Sequence, residues 1–134
     1  MVKSIELTSG LLVSGQPQPS DMAALASAGV KTVVCNRPDG EEAGQPSMDE
    51  IEQAATAAGM KFVRYPVNPQ TFPGPDVDTV AKAFDSDEKT FAYCRTGTRC
   101  ANLWVVSRSP SDRRGAAETA HALGYDLALS SRSI

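Results

Sequence analysis

Apolar positions along the chain change period several times, and each change marks an element. Residues 5–7 and 11–13 are short apolar runs on either side of Thr8-Ser9-Gly10, a hairpin pattern that Gly15-Gln16-Pro17 brings to an end. Pro19-Ser20-Asp21 then offers a cap-like start for a helix through Leu25, stopped by Gly29, and residues 31–35 read as a buried strand ending at Cys35. Arg37-Pro38-Asp39-Gly40 is turn chemistry. Ser47 and Glu50 have capping-box spacing, and Ile51, Ala54, Ala55 and Ala58 give one helical face ending at Gly59. Residues 61–65 are the next strand. The stretch 66–75, with four prolines and one glycine, must be a loop, after which Val77, Val80, Ala81 and Phe84 recur at helical spacing. Thr90-Phe91-Ala92-Tyr93 closes a further strand, residues 100–106 read as a largely buried helix, and residues 116–123 as another, closed by Gly124.

Strands alternating with helices predict an α/β fold with a mainly parallel central sheet flanked by helices, because parallel neighbours need crossover connections. With 134 residues and 41% hydrophobic content the chain is expected to form one domain over 1–134, its last residues from about 130 a mobile tail. A net charge of −3 argues against a nucleic-acid or membrane-surface binder, so any anion site must be local. No apolar run reaches membrane-span length and the first residues lack the apolar core of a signal peptide, from which a cytoplasmic protein is expected. The cysteine count of 3 suits reduced thiols, one of them reactive, better than a disulfide framework.

Cys94-Arg95-Thr96-Gly97-Thr98-Arg99 stands between a strand and a helix, at the carboxyl end of a central strand where open α/β sheets bind ligands. If these residues wrap into a loop, successive N–H groups and the helix N-terminus form an anion cradle that lowers a thiol pKa, which makes Cys94 the candidate nucleophile. Arg99 is close enough to fold back over the loop and take two oxygens of a tetrahedral anion. Gly97 permits a tight backbone turn, Arg95 adds charge, and Thr96 or Thr98 could donate a hydroxyl to the thiolate or leaving group. Arg37 is the candidate for substrate or loop support within Arg37-Pro38-Asp39-Gly40-Glu41-Glu42, a segment otherwise readable as a turn with a solvated acidic flank. Cys100 is either a packing residue or a resolving thiol for an oxidised Cys94. Cys35 and Trp104 read as core, and the lone His121, lacking a second ligand, is poor evidence for a metal, so neither metal nor cofactor is expected.

The succession Gly15-Gln16-Pro17, Asn36-Arg37-Pro38-Asp39-Gly40-Glu41-Glu42, Gln45-Pro46, Tyr65-Pro66-Val67 and Tyr93-Cys94-Arg95-Thr96-Gly97-Thr98-Arg99 resembles the phosphatase-like domain of beta-lactamase hydrolase-like proteins. The resemblance implies a dual-specificity-phosphatase-like fold, found in bacteria alone or fused to a metallo-hydrolase domain as a possible partner. It also implies roles in phosphate ester cleavage or sulfide metabolism. Tyrosine and dual-specificity phosphatases, which are similar more loosely, carry a Cys-x5-Arg loop, a histidine before the nucleophile and an upstream aspartate that protonates the leaving group. Here the loop is Cys-x4-Arg, Tyr93 precedes the cysteine, and the corresponding upstream loop reads Pro66-Val67-Asn68-Pro69-Gln70, in which Asn68 has no proton to give. Asp39 and Asp76 are the nearest carboxylic acids, each also readable structurally, as turn former and helix N-cap respectively.

The expected activity is therefore a cysteine-dependent hydrolase acting on a small phosphate ester through a cysteinyl phosphate. Two alternatives stand beside it. The Cys-x4-Arg loop has the length seen in rhodanese-like sulfurtransferases, where the thiolate takes a sulfane sulfur and needs no general acid. The same cradle could also serve a pseudophosphatase that binds anions without turning them over.

Overall fold

The computed structural model describes residues 3–134. In chain order the elements are β1 (Ser4–Thr8), β2 (Leu11–Ser14), α1 (Asp21–Ser27), β3 (Val30–Cys35), α2 (Met48–Ala57), β4 (Lys61–Arg64), α3 (Val77–Phe84), β5 (Lys89–Tyr93), α4 (Thr98–Val106), α5 (Arg113–Ala122) and a closing 3-10 turn, Ser131–Ser133. One sheet takes the order β1-β2-β5-β3-β4. The β1–β2 pair is antiparallel and the other three pairings are parallel, the α/β arrangement expected from the alternating elements.

Period-two alternation along the inner strands sorts their side chains into two cores. Val13, Val34 and Ala92 face a layer built from α3, α4 and α5, while Val33, Cys35, Phe91 and Tyr93 face α1 and α2. Because β5 and β3 are covered on both faces, Val33, Val34, Phe91 and Ala92 are fully buried, each large side chain contributing roughly 1.5–3 kcal/mol of transfer free energy. The capping box of α2 is formed. The Glu50 N–H donates to Ser47 Oγ at 3.1 Å and the Ser47 N–H to Glu50 Oε1 at 3.2 Å. No helix among the described residues is long and apolar enough to cross a membrane.

Helix α4 begins at Thr98, two residues before the apolar run that announces it, because Gly97 rather than a polar side chain opens it. It is buried from Cys100 to Val106, and its one polar member in that run, Asn102, is satisfied on both sides. Asn102 Nδ2 donates to the carbonyls of Thr98 (2.8 Å) and Asp126 (2.9 Å), and Oδ1 accepts from the N–H (3.0 Å) and hydroxyl (2.8 Å) of Ser130. The tail expected to be free from about residue 130 therefore starts at an anchored residue, Ser130 being fully buried, with only 131–134 exposed.

The register sets the carboxyl ends of four strands level. Tyr93 stands opposite both Ser14 and Cys35, and Cys35 opposite Arg64. The segments that follow β2, β3, β4 and β5 consequently meet at one edge of the sheet. Asn102→Ala should lower stability by about 2 kcal/mol, since it removes the acceptor shared by the two Ser130 donors and the donor to the Asp126 carbonyl. A urea unfolding curve that superimposes on wild type would show those bonds to be dispensable.

Candidate active site

At the end of β5 the Cys94 N–H still follows the sheet, donating to the Ser14 carbonyl at 3.2 Å. The chain then turns sharply into α4 through Gly97, whose φ of +91° only glycine adopts freely. That turn brings the Gly97 N–H to the Cys94 sulfur at 3.1 Å. A Cβ at Gly97 would press on Val13 Cγ1 at 3.2 Å and the Tyr125 hydroxyl at 3.3 Å. The Gly15 segment, arriving from β2, lies so close that a Cβ there would meet the Arg95 carbonyl oxygen at 2.9 Å. Both glycines are thus required by the loop's path.

Cys94 is only 1% exposed, at the base of this loop. The neighbouring Cys100 thiol first, then the backbone N–H groups of Cys100, Thr96 and Arg99, favour its ionised form, and against the opposing effect of burial they bring the Cys94 pKa down from the ordinary 9.0 to about 5. Burial and the Cys94 anion push Cys100 the other way, so it stays a protonated donor. At rest the Thr96 hydroxyl bonds the Thr98 hydroxyl at 3.1 Å.

Arg99 is held by a residue of the segment that the sequence leaves open between pocket support and a solvated flank. Its Nη1 and Nη2 donate to the two Glu41 carboxylate oxygens at 2.8 and 2.7 Å, and Nη1 also donates to the Val67 carbonyl at 2.9 Å. Arg99, expected to fold back over the loop, has one edge of its guanidinium engaged by Glu41. Arg37, 1% exposed, donates through Nε to Glu41 Oε1 (3.0 Å), through Nη1 to Gln16 Oε1 (3.0 Å) and through Nη2 to Glu42 Oε1 (2.9 Å). The exposed Arg95 lies 3.8 Å from Glu42. The acidic pair therefore folds onto arginines, and Arg99 first, then Arg37, holds the Glu41 carboxyl below the usual carboxylate range. Opposite charges at Arg37 and Glu41, four residues apart beside the nucleophile's neighbouring strand, were the signal available in the sequence.

The remaining motif residues stitch these loops together. Gln45 Oε1 accepts from the N–H of Glu41 at 3.0 Å and its Nε2 donates to the Pro38 carbonyl at 2.9 Å. The Asn36 N–H donates to the Tyr93 carbonyl at 2.8 Å and its Nδ2 to the Tyr65 carbonyl at 3.0 Å, while the Val67 N–H donates to the Asn36 carbonyl at 3.1 Å. Tyr93 packs inward in one core cluster with Cys35, whose thiol donates to the Arg37 carbonyl at 3.2 Å. The two candidate acids are committed to helix ends. Asp39 Oδ1 accepts from the Met48 N–H at 2.8 Å at the start of α2, and Asp76 caps α3 through the Thr79 N–H and hydroxyl, which hold its carboxyl below the usual range. Asn68 Oδ1 takes the N–H groups of Gln70 and Thr71 in a turn. His121 is exposed on α5, and Trp104 is buried with the Arg108 guanidinium over its ring at 5.5 Å.

This geometry makes a buried thiolate facing convergent donors, flanked by an arginine of fixed orientation. Since the folded pKa lies below the unfolded one, ionisation of Cys94 contributes stability that is complete above the unfolded value. That contribution declines as pH falls and is lost through about 5. The rate of Cys94 alkylation by iodoacetamide should accordingly rise with a midpoint near 5. A midpoint in the range of a free thiol, about 8.5, would mean that the donors do not act on the sulfur.

Residues 5–111 match the family described as the phosphatase-like domain of beta-lactamase hydrolase-like protein. The beta-lactamase hydrolase-like protein of Agrobacterium fabrum is 31% identical over 135 residues, an alignment that covers 98% of this chain and 31% of that protein. The chain thus spans about a third of the length of the curated relatives it matches. A crystal structure of a candidate phosphatase from Neisseria meningitidis shares 34% identity with a TM-score of 0.79, covering 96% of this chain and 94% of that one. Tk-PTP in its active form, at 17% identity, is similar in fold, with a TM-score of 0.68 over 97% of this chain and 92% of its own.

Proposed function

The chain belongs to the family of phosphatase-like domains of beta-lactamase hydrolase-like proteins, and from that premise we propose that it is a cysteine-dependent hydrolase of phosphate monoesters. The observation that carries the reading is the place of the Cys94 sulfur, at the N-terminus of α4 with the Gly97 N–H donating to it at 3.1 Å, a setting that favours its ionised form. The amides from Arg95 to Arg99 would receive the phosphoryl oxygens, with Arg99 and Arg95 supplying positive charge. Cys94 attacks phosphorus in line; the S–P bond forms as the ester P–O bond breaks, and the leaving oxygen takes its proton from water. Water then attacks the cysteinyl phosphate, the S–P bond breaks, and inorganic phosphate departs while the thiolate is regained. In that second step the neighbouring Cys100 S–H, which favours the ionised form of the leaving sulfur, stabilises the returning anion. The relatives' greater length leaves room for a partner domain, a metallo-hydrolase being the one the family resemblance implies.

A second reading is sulfur transfer. It is favoured by one observation: both upstream aspartates sit at helix ends, so a reaction that needs no carboxylic acid suits this site. The thiolate would attack the sulfane sulfur of a donor such as thiosulfate, its S–S bond breaking to release sulfite, and the persulfide would pass its outer sulfur to a thiol acceptor.

Wild type and Cys94→Ser should be compared with an aryl phosphate and with thiosulfate plus a thiol acceptor, across pH. Phosphate release is expected to fall on the order of 10³-fold or more in the variant. In wild type it should climb through the thiolate limb near 5 without a second, basic limb, because no carboxylic acid assists. Sulfur transfer without phosphate release would establish the second reading, and turnover of neither substrate would leave an anion-binding module.

A further inference from the structure

We infer that Arg37 is a positioning residue of the anion site, acting through Glu41 to aim Arg99. The inference rests on the Cys94 loop being an anion cradle, as proposed above, but not on hydrolysis taking place there. Arg37 is too deeply buried to meet a ligand, and its Nε and both terminal nitrogens are bonded to Glu41, Gln16 and Glu42. A guanidinium removed from water has to be fully paired, so this cluster is rigid where surface ion pairs are loose. Its link to Arg99 is one atom. Glu41 Oε1 accepts from Arg37 Nε at 3.0 Å and from Arg99 Nη2 at 2.7 Å.

The hydrogen bonds on Arg99 show what that link achieves. Glu41 takes the end-on fork, Nη1 with Nη2, and Val67 takes the other Nη1 hydrogen. What remains without a partner among the described residues is the side-on edge, the Nε–H and the second Nη2–H. Those two parallel donors are the fork that binds two oxygens of a phosphate or carboxylate. Glu41 therefore fixes the guanidinium plane while leaving an anion-binding edge open, and Arg37 with Gln45 fixes Glu41. Glu41 is also a negative charge beside an anion site. Simple electrostatics says that removing it should strengthen anion capture; positioning says the reverse.

The test uses the ratio of Cys94 alkylation rates by iodoacetate and by iodoacetamide at one pH, normalised to free cysteine. Iodoacetate carries a carboxylate for Arg99, iodoacetamide does not, and the ratio cancels changes in thiolate fraction. The wild type should favour iodoacetate. Glu41→Gln should lose about tenfold of that preference, Arg37→Lys should lose a similar factor, and the double variant should be no worse than Glu41→Gln alone, as for two members of one chain of contacts. A ratio that stays the same or rises in Glu41→Gln overturns the inference, as do independent losses that multiply in the double variant. Should the buried Arg37→Lys fail to fold, Gln16→Ala, which removes the acceptor of Arg37 Nη1, takes its place: part of the preference is expected to be lost, and an unchanged ratio overturns the role of Arg37. A wild type without preference for iodoacetate overturns both the cradle and the relay. Intact ratios with no Cys94-dependent phosphate release would fail the hydrolase reading and leave the relay standing.

Discussion

A sulfur anion that is almost wholly removed from water has to be solvated by the protein, and the rest of this site follows from that requirement. An isolated buried charge is expensive enough that the thiol would stay protonated unless several donors converged on it. Convergence within one turn of chain is possible only where a strand stops and a helix starts, because there consecutive N–H groups are free of sheet and helix partners. The loop after β5 supplies the N–H of Gly97 and those of Thr96, Arg99 and Cys100, and the Cys100 thiol completes the set. The path needs a positive φ at Gly97 and a neighbour without a side chain at Gly15, so two glycines distant in sequence serve one sulfur.

The same logic of paired burial governs the surrounding charges. Three arginines and two glutamates crowd the carboxyl edge of the sheet, and the most buried of the five, Arg37, is the one with all three guanidinium nitrogens bonded. Ion pairs of this kind add little stability compared with apolar packing; what they provide is a fixed direction for the groups that remain partly exposed. Arg99 illustrates it. A guanidinium on a long flexible stem would sample many orientations over the loop, whereas bonds to Glu41 and Val67 leave it one.

The strands, the helices and their order were legible because each has a strong period and a clear boundary residue. Lys89–Tyr93 carries β-branched and aromatic residues into a cysteine, Ser47 with Glu50 announces α2, and Asp76 announces α3. The Cys94 loop was legible for the same reason, since an anion cradle has a local spelling. Less visible was what depends on contacts across the fold. Helix α4 starts early because a left-handed glycine opens it, and Ser130 is anchored because Asn102, 28 residues away, accepts its two donors. Glu41 and Glu42 looked like solvated surface because most acidic pairs are; only the adjacency of β3 and β5 brings Arg99 within reach of them.

What the site offers chemically is one half of a phosphatase's equipment in full and the other half in part. In the proposed reaction a nucleophile with a low pKa and a preformed anion cradle would lower the barrier to S–P bond formation, and both depend on groups that stay in place at rest. Protonation of the departing oxygen is a separate requirement, and the carboxylates that sequence spacing suggests for it are bonded to the N-termini of α2 and α3, where the Thr79 hydroxyl and N–H hold the Asp76 carboxyl below its usual range. A leaving group that is stable as an anion makes no such demand. Aryl oxides of low pKa and sulfite both meet that condition, whereas alkyl oxides do not. Within the proposed chemistry, the choice of substrate is therefore set less by how the anion is held than by what its leaving group can bear.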